Sequence, residues 1–129
     1  MRAYPKVLTV LVVLLTLSAI GFAATASLNI HWPTSLTDKQ YQKKTFDRVV
    51  KVWKTPPSAV FPQTGKKAVV QAVIGKDGKL VSATLTLQSG SKRWDEIALN
   101  LVHDAAPYDP LPAGYAPATV EVHFHVSAQ

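Results

Sequence analysis

The stretch GKLVSATLTLQSGSKRWDEIALNLVHDAAPYDPLPAGYAPATVEVHFHV, residues 78–126, decides the fold. Leu80 to Leu87 alternates: Val81, Ala83, Leu85 and Leu87 are expected on one face, with Ser82, Thr84 and Thr86 on the other. A period of two marks a strand with one face on a core and one in water. Ser89-Gly90 then turns the chain, and Ser91 is placed to cap a helix whose apolar stripe is Trp94, Ile97, Ala98, Leu101, Val102 and Ala105. Pro107 stops that helix, and Pro110 and Pro112 stiffen the loop after it. Val120, Val122, Phe124 and Val126 then alternate with Glu121, His123 and His125, so the last strand is also half buried.

Toward the N-terminus, Ala68 to Ile74 is rich in β-branched residues and Gly75-Lys76-Asp77-Gly78 closes a hairpin with the strand that follows. Before it, Thr37 with Gln40 has the form of a capping box. Tyr41, Phe46, Val49, Val50 and Trp53 follow at helical spacing, and the helix ends ahead of Pro56-Pro57. Its other face carries Lys43, Lys44, Arg48, Lys51 and Lys54, most simply a solvated face, with attraction to an anionic membrane surface or an acidic partner as the alternative. Together these segments predict an α+β fold with a three-stranded antiparallel sheet in the spatial order second, first, third, and both helices on its apolar face. The last strand is then an edge, and an edge strand offers unpaired N–H and C=O groups to a partner.

From Val7 to Ala26 no residue is charged, and Arg2 and Lys6 precede the run. The run Val7 to Leu17, Gly21 and the small residues of Ala24-Thr25-Ala26 fit a cleaved signal peptide, while about twenty uncharged residues also suffice for a membrane anchor. Either way the remainder is exported. The expected organisation is a leader over residues 1–26, a short tether over 27–36 containing His31, Trp32 and Pro33, and one domain over 37–129. The formal charge of +6 is a mild basic bias, not the footprint of a nucleic-acid binder. Without cysteine the chain has no disulfide, thiolate nucleophile or lipid-bearing N-terminal cysteine.

His123 and His125 share one strand face with Glu121, a row that a metal could use. It lacks a third and fourth ligand, since His103 belongs to the helix and His31 to the tether, and surface histidines are the simpler reading. No metal and no cofactor is expected. Catalysis is not expected either: Ser89 and Ser91 flank Gly90 without a nucleophile elbow, and Asp95 and Glu96 suit a first helical turn.

The Asp77-Gly78 turn, the Ser89-Gly90 step, Asp95 at the helix start, the run Ala105-Ala106-Pro107-Tyr108-Asp109-Pro110-Leu111-Pro112 and the final Val-x-Val-x-Phe-x-Val strand resemble, in that order, the C-terminal domain of the TonB/TolA family. Trp53 and Pro56-Pro57 ahead of the hairpin, and Phe61-Pro62 where TonB proper has a Tyr-Pro step, make the TolA-like branch the nearer one. The resemblance implies a non-catalytic periplasmic interaction module whose ligands are extended segments of periplasmic or outer-membrane proteins. It puts the docking edge on Val120, Glu121, Val122, His123, Phe124, His125 and Val126. Inner-membrane association and a homodimer through paired edges stay open, and no nucleic-acid partner is implied. The alternatives are an inner-membrane-anchored transducer of the same family, or a periplasmic metal-binding or chaperone-like accessory protein. Two departures count against coupling to an ion-driven motor. Val7 to Ala26 holds no histidine, and Ser27 to Leu36 reaches about 35 Å at full extension.

Overall fold

The computed structural model describes residues 25–129, so the expected leader lies outside the described residues except for its last two. The elements in chain order are β1 (Ala26–His31), α1 (Lys39–Val52), a 3-10 turn (Ser58–Val60), β2 (Lys67–Gly75), β3 (Leu80–Leu87), α2 (Lys92–Asp104) and β4 (Thr119–Ala128). The strands form one antiparallel sheet in the order β1-β4-β2-β3. Two helices and an antiparallel sheet make the fold α+β, as expected, and the order β3-β2-β4 is the predicted one.

The strand count is corrected from three to four. The last residue of the expected leader, Ala26, and Ser27 to His31 of the expected tether form β1, which pairs with β4 from Ala26 opposite Ala128 to His31 opposite His123. β4 is therefore an interior strand along most of its length, and the edge position expected for Val120 to Val126 is corrected with it. The cause is a pattern of period two: Leu28 and Ile30 lie opposite Val126 and Phe124 and pack against the core, while Asn29 and His31 occupy the other face.

The hairpin also departs from regular alternation. Register shifts between Val69 and Val70 and between Val73 and Ile74 leave Val81 and Thr86 without partners on β2. Each extra residue flips the side chains beyond it. Leu80, Ala83 and Leu85 therefore pack on the core, whereas Val81 and Leu87 stand exposed, at 64% and 47%. The expectation that Val81, Ala83, Leu85 and Leu87 share the buried face holds only for the middle pair.

Both helices begin with a side-chain cap. Ser91 Oγ accepts from Trp94 N at 3.2 Å, as expected, and the same hydroxyl donates to Val60 O at 2.6 Å. For α1 the cap is Asp38, whose Oδ1 accepts from Tyr41 N at 3.0 Å. Thr37 is thus corrected by one residue, a carboxylate at the helix N-terminus being the better placed acceptor. Asp95 is buried and accepts from Ser89 N at 2.9 Å, which fixes the turn before α2. The core joins Trp94, Ala98, Leu101 and Val102 of α2 to Tyr41 and Val49 of α1 and to Val70, Ile74, Val122 and Phe124 of the sheet. The loop after α2 docks on the hairpin turn, with Tyr108 N donating to Gly78 O at 2.9 Å and Leu111 N to Lys76 O at 3.0 Å. From α1, Tyr41 Oη donates to Asp109 O at 2.9 Å and Arg48 meets the Asp109 carboxylate at 3.0 Å.

Candidate interaction edge and groove

The hydrogen-bond phase of the ladder decides which backbone groups are free. Thr25 and Gln129 exchange both bonds, and antiparallel pairs alternate between bonded and non-bonded. Ser27, Asn29 and His31 therefore bond to β4, while the N–H and C=O groups of Ala26, Leu28 and Ile30 point away from it. On β4 the residues facing β1 are Ser127, His125 and His123, with Glu121 the next of that set. Ala128 N donates to Lys66 O, so the even-numbered residues Val126, Phe124 and Val122 face β2. The register sets Pro33, which has no N–H, opposite Glu121, so β1 leaves that end of β4 uncovered. Among the described residues the sheet has two margins, the outer side of β1 and the outer side of β3, and the β2–β3 pairing is interrupted by two register shifts.

The expected row of Glu121, His123 and His125 does lie on one face, and the structure adds a member. His31 sits opposite His123, and its ring centroid is 4.0 Å from that of His125. Gln71 Nε2 donates to Glu121 Oε1, and Glu121 Oε2 lies 3.4 Å from His123 Nε2. His125 Nδ1 is buried without a hydrogen-bond partner among the described residues. Burial first, then the neighbouring His31, Lys67 and His123, lowers the pKa of His125 from 6.5 to about 4. Placing His31 in the tether is corrected by β1. Among the described residues no group of three or more His, Asp or Glu side chains is arranged to hold a metal ion.

On the opposite face, β1 and α1 diverge to leave an open apolar groove of about 210 Å³. Leu28 forms one wall, Phe46, Val50 and Trp53 the other, and Leu101 and Val126 the floor. Phe46 and Val50 are 39% and 47% exposed, although both belong to the predicted apolar stripe of α1. Only Tyr41, Thr45 and Val49 of that helix are buried, so the stripe is wider than the core needs. Lys43 pairs with Asp47 at 2.7 Å and Arg48 with Asp109. Lys44 and Lys51 of α1, and Lys54 just beyond its end, have no ion-pair partner among the described residues. The sequence reading missed this groove. Its traces in the sequence are the short alternation Leu28-Asn29-Ile30-His31 and the wide apolar stripe of α1, and neither marks a groove by itself.

No helix among the described residues is long and apolar enough to cross a membrane. The family model for the TonB C terminal matches residues 38–125, a span that starts after β1 and ends within β4. Neither the curated proteins nor the solved structures compared with the chain gave a match.

Proposed function

Since the chain belongs to the family of TonB C-terminal domains, we propose that it binds an extended segment of another envelope protein by taking that segment into its sheet as a further strand. Domains of this family are non-catalytic protein-interaction domains, and membership implies an envelope location. The observation that carries the finer reading is the β1 margin, where Ala26, Leu28 and Ile30 turn outward backbone groups that have no partner among the described residues, beside an apolar groove. Each backbone hydrogen bond made there contributes about 0.5–1.5 kcal/mol net. Ordering the segment and immobilising it cost several kcal/mol, which sets the affinity near micromolar and keeps binding reversible. The uncharged run Val7 to Ala26 behind Arg2 and Lys6 supports export, and cleavage after Ala24-Thr25-Ala26 would leave Leu28 and Ile30 as the outward-facing residues of β1. Trp53 and Pro56-Pro57 support the TolA-like branch.

A second reading keeps the docking strand on Val120 to Val126 and has β1 leave to make room. It is favoured by the position of β1, outside the matched residues 38–125, and by its incomplete burial. Ser27 and Ser127 are directly opposed and the chain has no cysteine. The double variant Ser27→Cys/Ser127→Cys can therefore lock β1 to β4, directly opposed residues lying within disulfide reach. The exported protein, immobilised and exposed to envelope extract, is expected to retain a protein partner. If the locked form retains it equally, the partner adds beside β1. If retention is lost on oxidation and restored by reduction, the partner replaces β1. Retention of no envelope protein by either form overturns the interaction reading itself.

A further inference from the structure

We propose that β1 is an acid-released strap, closed over β4 near neutral pH by the contact of His31 with His125 and opened when that pair takes up protons. The inference goes beyond the docking readings, since it concerns two strands of this chain whether or not a partner is present. The two rings meet at 4.0 Å between centroids, tilted by 32°. Period two brings them together: Asn29 and His31 share the face of the sheet opposite the helices with His123 and His125. Asn29 stands opposite His125 and His31 opposite His123, so His31 and His125 are diagonal neighbours across the two strands. As neutral imidazoles the rings pack against each other. Protons on the pair turn that packing into repulsion between β1 and β4.

The surroundings oppose a proton on His125 from every strand beside it. His31 faces it from β1, Lys67 from β2 and His123 along β4. Among the described residues neither ring of the pair has an ion-pair partner. Glu121 lies on the other diagonal from His31, but it accepts from Gln71 Nε2 and lies 3.4 Å from His123 Nε2. Burial, then these neighbours, hold the pKa of His125 at about 4 against 6.5. Opening β1 removes His31 and much of that burial, so the open form binds the proton more tightly. Between those two values the closed-to-open ratio falls by up to about thirtyfold from pH 7.5 to 5.0. β1 is also the element most ready to open. Its one neighbouring strand among the described residues is β4, and none of its residues is fully buried. β2 and β4 stay paired from Lys67 opposite Ser127 to Gly75 opposite Thr119, so the sheet persists without it.

The test is amide hydrogen exchange on the exported protein as cells process it, followed by NMR at pH 7.5 and 5.0 and corrected for the intrinsic pH dependence of exchange. The amides of Asn29 and His31 bond to β4 and report β1, while those of Val70 and Ala72 report the β2–β4 ladder. From pH 7.5 to 5.0 the protection of Asn29 and of residue 31 should fall at least about tenfold. It should also stay at least about a hundredfold below that of Val70 and Ala72 at both values, the mark of a local opening. In His125→Thr the fall should shrink to within about threefold, and in His31→Thr it should be at least about twofold smaller than in the parent. His103→Gln, on α2, should keep the full fall. Because each variant is compared with itself at two pH values, a purely structural loss of packing leaves the ratio unchanged. Constant protection of β1 in the parent overturns the proposal, as does an undiminished fall in His31→Thr or His125→Thr. Equal protection of β1 and β2 at pH 5.0 overturns it in favour of global acid unfolding.

Discussion

The indole Nε1–H of Trp94 donates to the carbonyl oxygen of Val126 at 3.1 Å, with Trp94 fully buried. Val126 also lies opposite Leu28 of β1 and Ala68 of β2. One residue of β4 thus joins the added strand, the hairpin and α2, and Phe61 and Trp53 close over the same indole at 4.6 and 5.8 Å between ring centroids. Trp94→Phe keeps most of the ring and removes the donor, so urea unfolding should show a loss of about 1–3 kcal/mol. Trp94→Ala should lose about 3–5 kcal/mol.

Leu101 is buried at the floor of the groove and Leu85 is only partly buried. Leu101→Ala is expected to cost about 2–5 kcal/mol, and Leu85→Ala measurably less. Equal losses in denaturant titrations would mean that the edge strand β3 carries more of the core than its bulged register suggests.

Gly78 has φ +88, and a Cβ added there would lie 2.0 Å from the carbonyl oxygen of Tyr108. Gly90 has φ +97 with no atom within 4 Å of such a Cβ. Gly90→Ala should therefore cost only the left-handed backbone term, about 1–2 kcal/mol. Gly78→Ala should cost more than that, because the loop carrying Tyr108 must also leave the hairpin. Thermal melts of the two variants make the comparison.

His125 enters the folded state with its pKa lowered from 6.5 to about 4. Between those values the unfolded chain binds the proton and the folded chain does not, so this group stabilises the fold fully above about pH 6.5. Its contribution is lost as the pH falls toward 4. His31, His123 and Lys67 face it with positive or protonatable groups, and Glu121 is the nearest acid of the row. The stability of His125→Thr, followed by denaturant titration from pH 8 to 4, should fall less steeply than that of the parent between 6.5 and 4. Parallel curves would show that His125 is not held neutral.

Proline tests the ladder phase. The N–H of Glu121 points to the side that β1 leaves uncovered, whereas that of Val122 bonds toward Ala72 of β2. Val122→Pro removes a bond inside the sheet and should cost at least about 1–3 kcal/mol more than Glu121→Pro. Circular dichroism with urea titration compares them. The opposite ranking would mean that the two sets of β4 residues are exchanged.

The sequence by itself determined the elements whose signals are local. Alternation marked β4, β-branched residues marked β2, Asp77-Gly78 marked the hairpin turn, and Ser91 with the Trp94 to Ala105 stripe marked α2. Each depends only on residues two to four apart along one segment. The order β3-β2-β4 was legible as well, because hairpin and helical connections fix the direction of each strand. Only the tertiary structure decided what lies beyond β4. Leu28-Asn29-Ile30-His31 is too short to declare itself a strand, and it becomes one by meeting Val126 and Phe124 across nearly a hundred residues of chain. The exposure of Phe46 and Val50 was equally out of reach, since a helix's sequence shows how wide its apolar stripe is but not how much of that stripe another surface covers. The candidate site arises where those two non-local facts meet, which is why its residues are scattered over β1 and α1 with no motif to join them.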